Sequence, residues 1–282
     1  MNPKVITLLE TTKELPSLPI IYQEVSKAVD DLKSSPQSIG QIINKDQSLT
    51  SRLLRLANSA FYGFPRKVNT ISDALQVIGL KELKDMVMST AIIQCFKGIP
   101  EDLINIKAFW QHSIACGVGG SLLASQRHEP NVERFFIGGL LHDIGKLVLF
   151  IAKPAEMQQI TARCAETKEF DYKVEQEILG FDHAEVGAGL IQKWGLPAML
   201  ADIVAFHHTP TLSQMAITEA SIIHISDFLT NAMDLGNAGE FSIPILSKEA
   251  WERSHLDENC IDELMTQLDQ QSEEMCAILV NE

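Results

Sequence analysis

The sequence is poor in cysteine, and its few cysteines are not spaced as ligands. Five cysteines, an odd number, are scattered over 282 residues without a CxxC pair. They are Cys95, Cys116, Cys164, Cys260 and Cys276. This pattern argues against a disulfide framework and against a thiolate zinc site, and it favours a reducing, cytoplasmic environment.

Long apolar runs are also missing. No uninterrupted run reaches the roughly 18 apolar residues that a membrane-spanning helix needs. The N-terminal stretch MNPKVITLLETTKELPSLP carries acidic residues among its apolar ones and lacks a small-residue cleavage site. It does not have the pattern of a signal peptide. The sequence therefore predicts no contact with a membrane.

Positive charge is scarce in the second part of the chain. The whole sequence has 23 basic and 37 acidic residues, a net charge of −14. Residues 1–100 hold 12 basic and 9 acidic residues, a net of +3, whereas residues 101–282 hold 11 and 28, a net of −17. This acidity disfavours nucleic-acid binding, and it would repel a phosphate substrate unless bound cations reversed the local sign.

One mild basic cluster lies in the first part, where residues 46–80 have some likeness to a helix-turn-helix. Its members are Arg52, Arg55, Asn58, Arg66 and Lys67. A solvated helix face explains such a cluster equally simply. Because the surplus of positive charge there is too small to offset the acidic second part, DNA binding is kept only as a minor hypothesis.

Helical periodicity runs through nearly the whole chain, with no internal repeat, so the sequence predicts an all-α fold. We expect five helices between residues 20 and 97, a break at residues 98–100, and single helices over 133–152 and 213–233. Asp46, Thr70 and Asp182 are placed to cap helix N-termini. The predicted division is an N-terminal helical subdomain (1–100), a second subdomain (101–235) and an acidic helical extension (236–282).

Histidines and aspartates recur on, or at the ends of, five successive predicted helices. The set is His112, His142, Asp143, His183, His207, His208 and Asp227. A lone histidine on an apolar helix is more often a core residue than a ligand. Five packed helices can nevertheless direct such side chains to one centre, as the metal sites of helical bundles do.

These side chains suit divalent metal ions. Imidazole and carboxylate bind first-row ions without thiolate, and the same donors suit iron, manganese, nickel and zinc. Six or seven donors could hold two ions with open positions for hydrolysis. Lys146 lies one helical turn after Asp143, so it can share that face and neutralise a phosphate oxygen.

Some histidines fit less specific interpretations. His183 at a helix start could equally be an exposed neutral histidine. His207 and His208 diverge by roughly 100° on a helix, so one of them could serve only as a support. His224 is expected to support the site or the core, His128 and His255 to lie at the surface, and Cys116 to fill the core.

The pattern H…HD…D, with Asp143 followed three residues on by Lys146, resembles the HD superfamily of metal-dependent phosphohydrolases. The fuller pattern resembles the HDOD family of bacterial signalling modules over roughly residues 14–232. The matching stretches are LPSLP (15–19), INKDQSLTSRLLRLANSAFYG (43–63), ISDALQVIGLKEL (71–83), FWQHS (109–113), GGLLHDIGKLVL (138–149), LGFDHAEVGAGLIQKWGLP (179–197) and HH (207–208). The resemblance implies a helical N-terminal subdomain packed on an HD-like subdomain.

The resemblance also implies functions. It implies a regulatory output protein with protein partners in a bacterial signalling pathway, or alternatively an active phosphohydrolase on a nucleotide or another phosphoester. It implies metal roles for the seven residues named above, with Asp143 bridging two ions and Lys146 facing the substrate phosphate as the catalytic pair. Two differences from the HD-GYP branch, TPTLSQMA after His208 and Ala108 in place of a glutamate, argue against cyclic-dinucleotide hydrolysis and against a third metal.

Overall fold

The computed structural model of the chain describes residues 1–31, 33–64, 66–97, 99–100 and 103–280. Over these residues the secondary structure is helical, without strands, which confirms the all-α prediction. The α-helices are α1 (Pro3–Thr11), α2 (Ile20–Asp30), α3 (Pro36–Ile43), α4 (Gln47–Ala57), α5 (Ile71–Val77), α6 (Leu80–Cys95), α7 (Ile106–Gln126), α8 (Glu133–Leu141), α9 (Ile144–Ala152), α10 (Pro154–Thr167), α11 (Asp171–Leu179), α12 (His183–Lys193), α13 (Ala198–Phe206), α14 (Ile217–Ala232), α15 (Lys248–Ser254) and α16 (Ile261–Leu279).

The chain forms two compact units, and each contains residues from both halves of the sequence. The first is Met1–Leu15 with Gly98–Asp269, and the second is Pro16–Lys97 with Gln270–Glu282. This grouping differs from the division drawn from the sequence, which cut the chain into consecutive pieces at residues 100 and 235. Gly98, which was expected to begin the break, lies outside the described residues.

Both chain ends pack away from their sequence neighbours. In the first unit α1 packs on α12, and a Cβ placed on Gly189 would lie 2.7 Å from the Leu9 side chain. In the second unit the backbone N–H of Ala60 donates to the carboxylate of Glu274 at 2.9 Å. Burial of the apolar side chains of the terminal helices therefore groups both chain ends with helices that are distant in the sequence.

The second unit contains the five helices expected between residues 20 and 97, with α6 packed against α2 and α4. The side chain of Asp46 accepts a hydrogen bond from Leu49 N at 3.0 Å, and that of Thr70 accepts one from Asp73 N at 3.0 Å. Both predicted N-caps are confirmed. Helix α2 ends at Asp30.

The first unit is organised by close helix contacts at glycine. Helix α7 packs against α8 and α14, and α12 packs against α9 and α13. A Cβ on Gly139 of α8 would lie 2.5 Å from Gly117 N of α7, and one on Gly145 of α9 would overlap the carbonyl oxygen of His183. These contacts bring the backbone on either side of His142 and Asp143 against two further helices.

The single helix expected over 133–152 is wrong, because the chain breaks at His142 and Asp143. The imidazole Nδ1 of His142 bonds the carbonyl oxygen of Gly139 at 2.6 Å, and Lys146 N bonds the carbonyl of Asp143 at 2.8 Å in a tighter turn. The apolar pattern continues through both residues, so periodicity alone does not indicate the break. Likewise, α14 begins at Ile217 rather than 213.

The segment Glu133–Ala152 is the one stretch of the described residues that is long and apolar enough to span a membrane by length and composition. Its polar residues, among them His142, Asp143 and Lys146, interrupt the apolar run, so it does not meet the sequence criterion used above. The structure places 89% of its most apolar window inside the molecule. Such burial is what a core segment of the first unit shows, and core segments meet the same length criterion.

Candidate metal centre

The structure brings all seven predicted donors together in the first unit. His112 lies in the middle of α7, His142 and Asp143 join α8 to α9, and Asp227 lies in α14. His183 is the first residue of α12, where Asp182 provides the predicted N-cap by accepting from Glu185 N at 2.9 Å. His207 and His208 directly follow α13.

Three residues gather on one side of Asp143. The Nε2 atom of His112 lies 3.3 Å from His142 Nε2 and 3.2 Å from Asp227 Oδ1. Asp143 directs its Oδ2 atom to this group, 3.4 Å from His142 Nε2 and 3.9 Å from His112 Nε2. All four side chains are buried. Together they offer two imidazoles and two carboxylates to one point.

Three histidines gather on the other side of Asp143. Its Oδ1 atom lies 3.1 Å from His183 Nε2 and 3.7 Å from His207 Nε2. His208 Nε2 lies 2.9 Å from His183 Nε2. The two oxygens of the Asp143 carboxylate therefore face two separate groups of donors.

Hydrogen bonds behind the rings fix the tautomers of three histidines. His142 Nδ1 lies 2.6 Å from Gly139 O, and His207 Nδ1 lies 2.7 Å from Val204 O. His183 Nδ1 lies 2.8 Å from the Glu175 carboxylate. Because a carbonyl or carboxylate oxygen only accepts, each Nδ1 carries a proton, and each Nε2 is the ring atom directed at the centre, able to bind an ion once any proton on it has left.

The donor geometry fits divalent ions. Two donors that are each about 2.1 Å from an ion lie about 3.0 to 3.4 Å apart at right or tetrahedral angles. The spacings of 3.2 and 3.3 Å around His112 match this range. Among the described residues, His207 Nε2 and Asp227 Oδ2 are buried without a hydrogen-bond partner. Orphaned buried atoms of this kind are rare unless an ion or water satisfies them, so the clusters could hold a metal.

The pKa values of the centre depend on burial and on close opposite charges. Burial would raise the pKa of Asp143, but His142 and Lys146 outweigh it and hold that pKa well below its ordinary value. Burial would lower the pKa of His142, yet the Asp143 carboxylate raises it well above the ordinary value. Burial, together with the charge of His142, lowers the pKa of His207 to about 3. His207 is therefore a neutral donor at physiological pH.

Lys146 is more enclosed than a phosphate-facing lysine was expected to be. It is 1% exposed, and its Nζ lies 2.9 Å from Asp143 Oδ2, 2.7 Å from Asp171 Oδ2 and 2.7 Å from Glu240 Oε1. Burial would lower the pKa of Lys146, but these carboxylates raise it well above its ordinary value. The ammonium group is thus a permanent cation in contact with three acidic side chains.

Three of the acidic residues in the centre were not identified from the sequence. Asp171 and Glu240 bind Lys146, and Glu175 binds both the ring and the backbone N–H of His183. Only Glu175 carries a local signal, because a spacing of three from Tyr172 and four from Leu179 places it on the apolar face of α11.

The other histidines and Cys116 lie where the sequence suggested. His224 supports the centre from outside, with Nδ1 2.8 Å from the carbonyl oxygen of His207 and Nε2 accepting from Ser247 N at 3.0 Å. His128 and His255 are exposed. Cys116 is fully buried.

The chain resembles proteins that are known from sequence. The family model of the HDOD domain matches residues 15–210. An uncharacterised protein of Treponema pallidum (strain Nichols) is 26% identical over 203 residues, which are 72% of this chain and 39% of that protein. The chain therefore matches less than half of the length of this relative.

Solved structures share the fold over almost the whole chain. An HDOD domain protein of unknown function from Geobacter sulfurreducens superposes with a TM-score of 0.81 at 22% identity, covering 98% of this chain and 97% of that one. A protein from Shewanella amazonensis SB2B, provisionally described as a phosphohydrolase, gives 0.75 at 25% identity, with coverages of 97% and 98%. A second protein from that organism, provisionally described as a metal-dependent phosphohydrolase, gives 0.69 at 20% identity, with 98% and 97%. Because the family model matches most of the chain and the solved structures share its fold, the chain belongs to the HDOD domain family.

Proposed function

We propose that this HDOD protein binds two divalent metal ions in its first unit and hydrolyses a phosphoester there. The observation that carries the proposal is the position of Asp143, whose two carboxylate oxygens face two separate groups of histidines. A carboxylate placed between two donor groups is the arrangement expected of a residue that bridges two ions.

The donors divide between the two ions as the distances group them. His112, His142 and Asp227 would hold one ion, His183, His207 and His208 the other, and Asp143 both. Their donor types do not discriminate among iron, manganese, nickel and zinc.

The charge of the centre supports two cations rather than none. Five carboxylates outnumber the single ammonium group of Lys146 in this largely buried cluster, so without ions the excess negative charge is offset by protons, as the raised pKa values of His142 and His183 indicate. The carboxylates belong to Asp143, Asp171, Glu175, Asp227 and Glu240. Uncompensated buried charge is strongly unfavourable, and two divalent ions would balance it.

Each group in the centre then has a defined task. Bound divalent ions would supply Lewis acidity toward a phosphoryl oxygen and lower the pKa of water. Glu175 holds the proton-bearing Nδ1 of His183 and so keeps its Nε2 lone pair directed at the centre. Lys146 provides the positive charge that a phosphate oxygen would need in this acidic surrounding.

A nucleotide-type phosphoester is the substrate class that the mouth of the centre supports. Aromatic rings of Phe170, Tyr172 and Phe241 line a cleft that also contains His208. Tyr172 stacks on His208 with ring centroids 4.3 Å apart. Planar groups such as nucleobases stack on rings of this kind. The Shewanella protein at 25% identity, provisionally described as a phosphohydrolase, is consistent with the reaction type.

A second candidate is a regulatory output protein that holds the ions without turnover and acts through protein partners in a signalling pathway. Family membership favours this candidate. The enclosure of Lys146 also favours it, because its three contacts with carboxylates occupy the ammonium group within the protein. The two candidates share the metal centre and differ in turnover.

Metal analysis of the purified protein, prepared without chelator, tests the proposal. Plasma mass spectrometry should find about two ions per chain, and Asp143→Asn should lose both, because one residue serves both groups. A content below about one tenth of an ion per chain would contradict metal binding. The wild type should hydrolyse bis(p-nitrophenyl) phosphate or p-nitrophenyl phosphate, and Asp143→Asn should not. Full metal content without any turnover would favour the regulatory candidate instead.

A further inference from the structure

Glu240 lies outside the stretch that matches the HDOD family model, yet its carboxylate reaches the centre. Its Oε1 accepts a hydrogen bond from Lys146 Nζ at 2.7 Å, and a carboxylate oxygen lies within 4.8 Å of donor atoms of His112 and Asp143. The residue is only 9% exposed. Its second oxygen, Oε2, is buried without a hydrogen-bond partner in the described part of the chain.

Glu240 occupies one of the three bonds that Lys146 can make. An ammonium group has three protons, and Asp143, Asp171 and Glu240 each place a carboxylate oxygen within 2.9 Å of Nζ. A phosphate oxygen can therefore bind Lys146 only where one of these carboxylates has withdrawn.

Of the three carboxylates, Glu240 is the one whose backbone lies in a long irregular segment. Asp143 lies between two packed helices, and Asp171 is the first residue of α11. Glu240 belongs to an irregular segment between α14 and α15, residues 235–246, which we call the strap. The described bonds that tie the strap to the helices below include Asn237 N to Ala108 O at 3.0 Å and Ser242 Oγ to Lys168 O at 2.6 Å.

Apart from Ala238, which is 1% exposed, the strap buries little apolar surface. Its large apolar side chains Phe241, Ile243 and Ile245 are 37%, 53% and 73% exposed. Because the free energy of burial scales with the apolar area removed from water, lifting the strap costs little hydrophobic free energy.

A turn within the strap directs Glu240 inward. The side-chain oxygen of Asn237 accepts from the backbone N–H groups of Gly239 and Glu240 at 2.6 and 3.1 Å, and its amide donates to Glu240 O at 3.0 Å. Gly239 has a φ of 93°, and a Cβ there would meet nothing within 4 Å. The turn is therefore closed by its own hydrogen bonds, and the backbone N–H of Asn237 adds one bond from the turn to Ala108 O of α7.

We infer that Glu240 is a displaceable carboxylate that occupies the position of the substrate phosphate, so that phosphate binding requires the strap to withdraw. The inference rests on the proposed function, since it assigns the regulation of that same centre. Carboxylate and phosphate are both oxyanions that bind an ammonium group through charge-assisted hydrogen bonds. Glu240 therefore competes with any phosphoester for Lys146.

The test compares the metal-loaded wild type with Glu240→Gln, with inorganic phosphate as the probe in isothermal titration calorimetry. We expect an unchanged number of ions per chain and phosphate binding tighter by about tenfold or more, because a charged competitor has been replaced by a neutral one. Asn237→Ala, which loosens the turn, should also tighten phosphate binding. Glu252→Gln, an exposed change on α15, is the matched control and should leave phosphate affinity unaltered.

Three results would overturn the inference, and they are distinguishable. Unchanged or weaker phosphate binding in both strap variants, with metal content intact, would exclude competition by Glu240 and leave the proposed function standing. Loss of one ion from Glu240→Gln would identify Glu240 as a permanent metal ligand instead. Absence of metal from both the wild type and the variants would remove the proposed function and this inference with it.

Discussion

At the scale of single residues, the centre depends on side chains that orient its donors without being proposed ligands themselves. Glu175 is fully buried on α11 and binds His183 twice, through the ring and through the backbone N–H. Burial raises the pKa of Glu175 more than the neighbouring His183 lowers it. Glu175 thus holds the Nδ1 side of the ring and directs Nε2 toward the position of the proposed ions.

Replacement of this support should weaken metal binding without removing a proposed ligand. For Glu175→Gln we expect a loss of about 10- to 100-fold in metal affinity, the usual effect of removing the partner of a ligating histidine. Competition with a chromogenic chelator measures it. Glu177→Gln, an exposed change on the same helix, is the control, and equal affinities in the two variants would contradict the role of Glu175.

At this scale, the sequence predicts the histidine and aspartate donors of the centre but not the acidic partners of Lys146. All seven predicted donors were found together because histidine and aspartate inside apolar helices are conspicuous in a sequence. Asp171 and Glu240 were missed because their contact with Lys146 joins residues 25 and 94 positions away. No local pattern records a pairing over such a separation.

At the scale of the helices, glycine determines how closely the donors approach. Gly145 lies against the backbone of α12, where an added Cβ would overlap His183 O, and so it lets α9 and α12 deliver Asp143 and His183 to the same point. Gly40 in α3 is different, since an added Cβ there would meet its nearest side-chain atoms at 3.7 and 3.8 Å, an ordinary contact distance.

These two glycines should respond to alanine with opposite signs. We expect Gly145→Ala to destabilise the protein by about 1 to 3 kcal/mol or more, because overpacked helices must separate. Gly40→Ala should be neutral or stabilising by up to about 1 kcal/mol, because alanine is the better helix former. Thermal unfolding of both variants by circular dichroism measures the shifts. A Gly145→Ala variant as stable as the wild type would refute the close contact.

Helix ends were predictable where a side chain determines them. Asp46, Thr70 and Asp182 cap α4, α5 and α12 as expected, because capping depends on residues three positions apart. The break at His142 was not predictable, since it follows from the contact of Gly139 and Gly145 with distant helices.

At the scale of the whole molecule, we expect the net charge of −14 and the acidic centre to make stability depend on cations. Ligands that bind only the folded state stabilise it by mass action, by about 4 kcal/mol at a thousand times the dissociation constant. The grouping of the chain into two units depends on which helices the two chain ends cover, and periodicity along the sequence does not record that contact.

Removal of metal should therefore lower the melting temperature. Treatment of the wild type with EDTA should reduce the temperature by several degrees, about 2 to 4 °C for each kcal/mol lost in a domain of 150–250 residues. Addition of the original ion in excess should restore it. Asp143→Asn serves as the control, and its melting temperature should not change with chelator. A wild type equally insensitive to EDTA would contradict a structural contribution of the ions.

The glycines on either side of His142 and Asp143 bear on which residues related proteins keep during evolution. Gly139 and Gly145 are required by helix contact, whereas the role proposed for His142 and Asp143 is chemical and does not depend on helix contact. The two requirements can be lost independently during evolution. We expect a related chain that has other residues in place of this histidine and aspartate to keep both glycines, because the close helix contacts still require them.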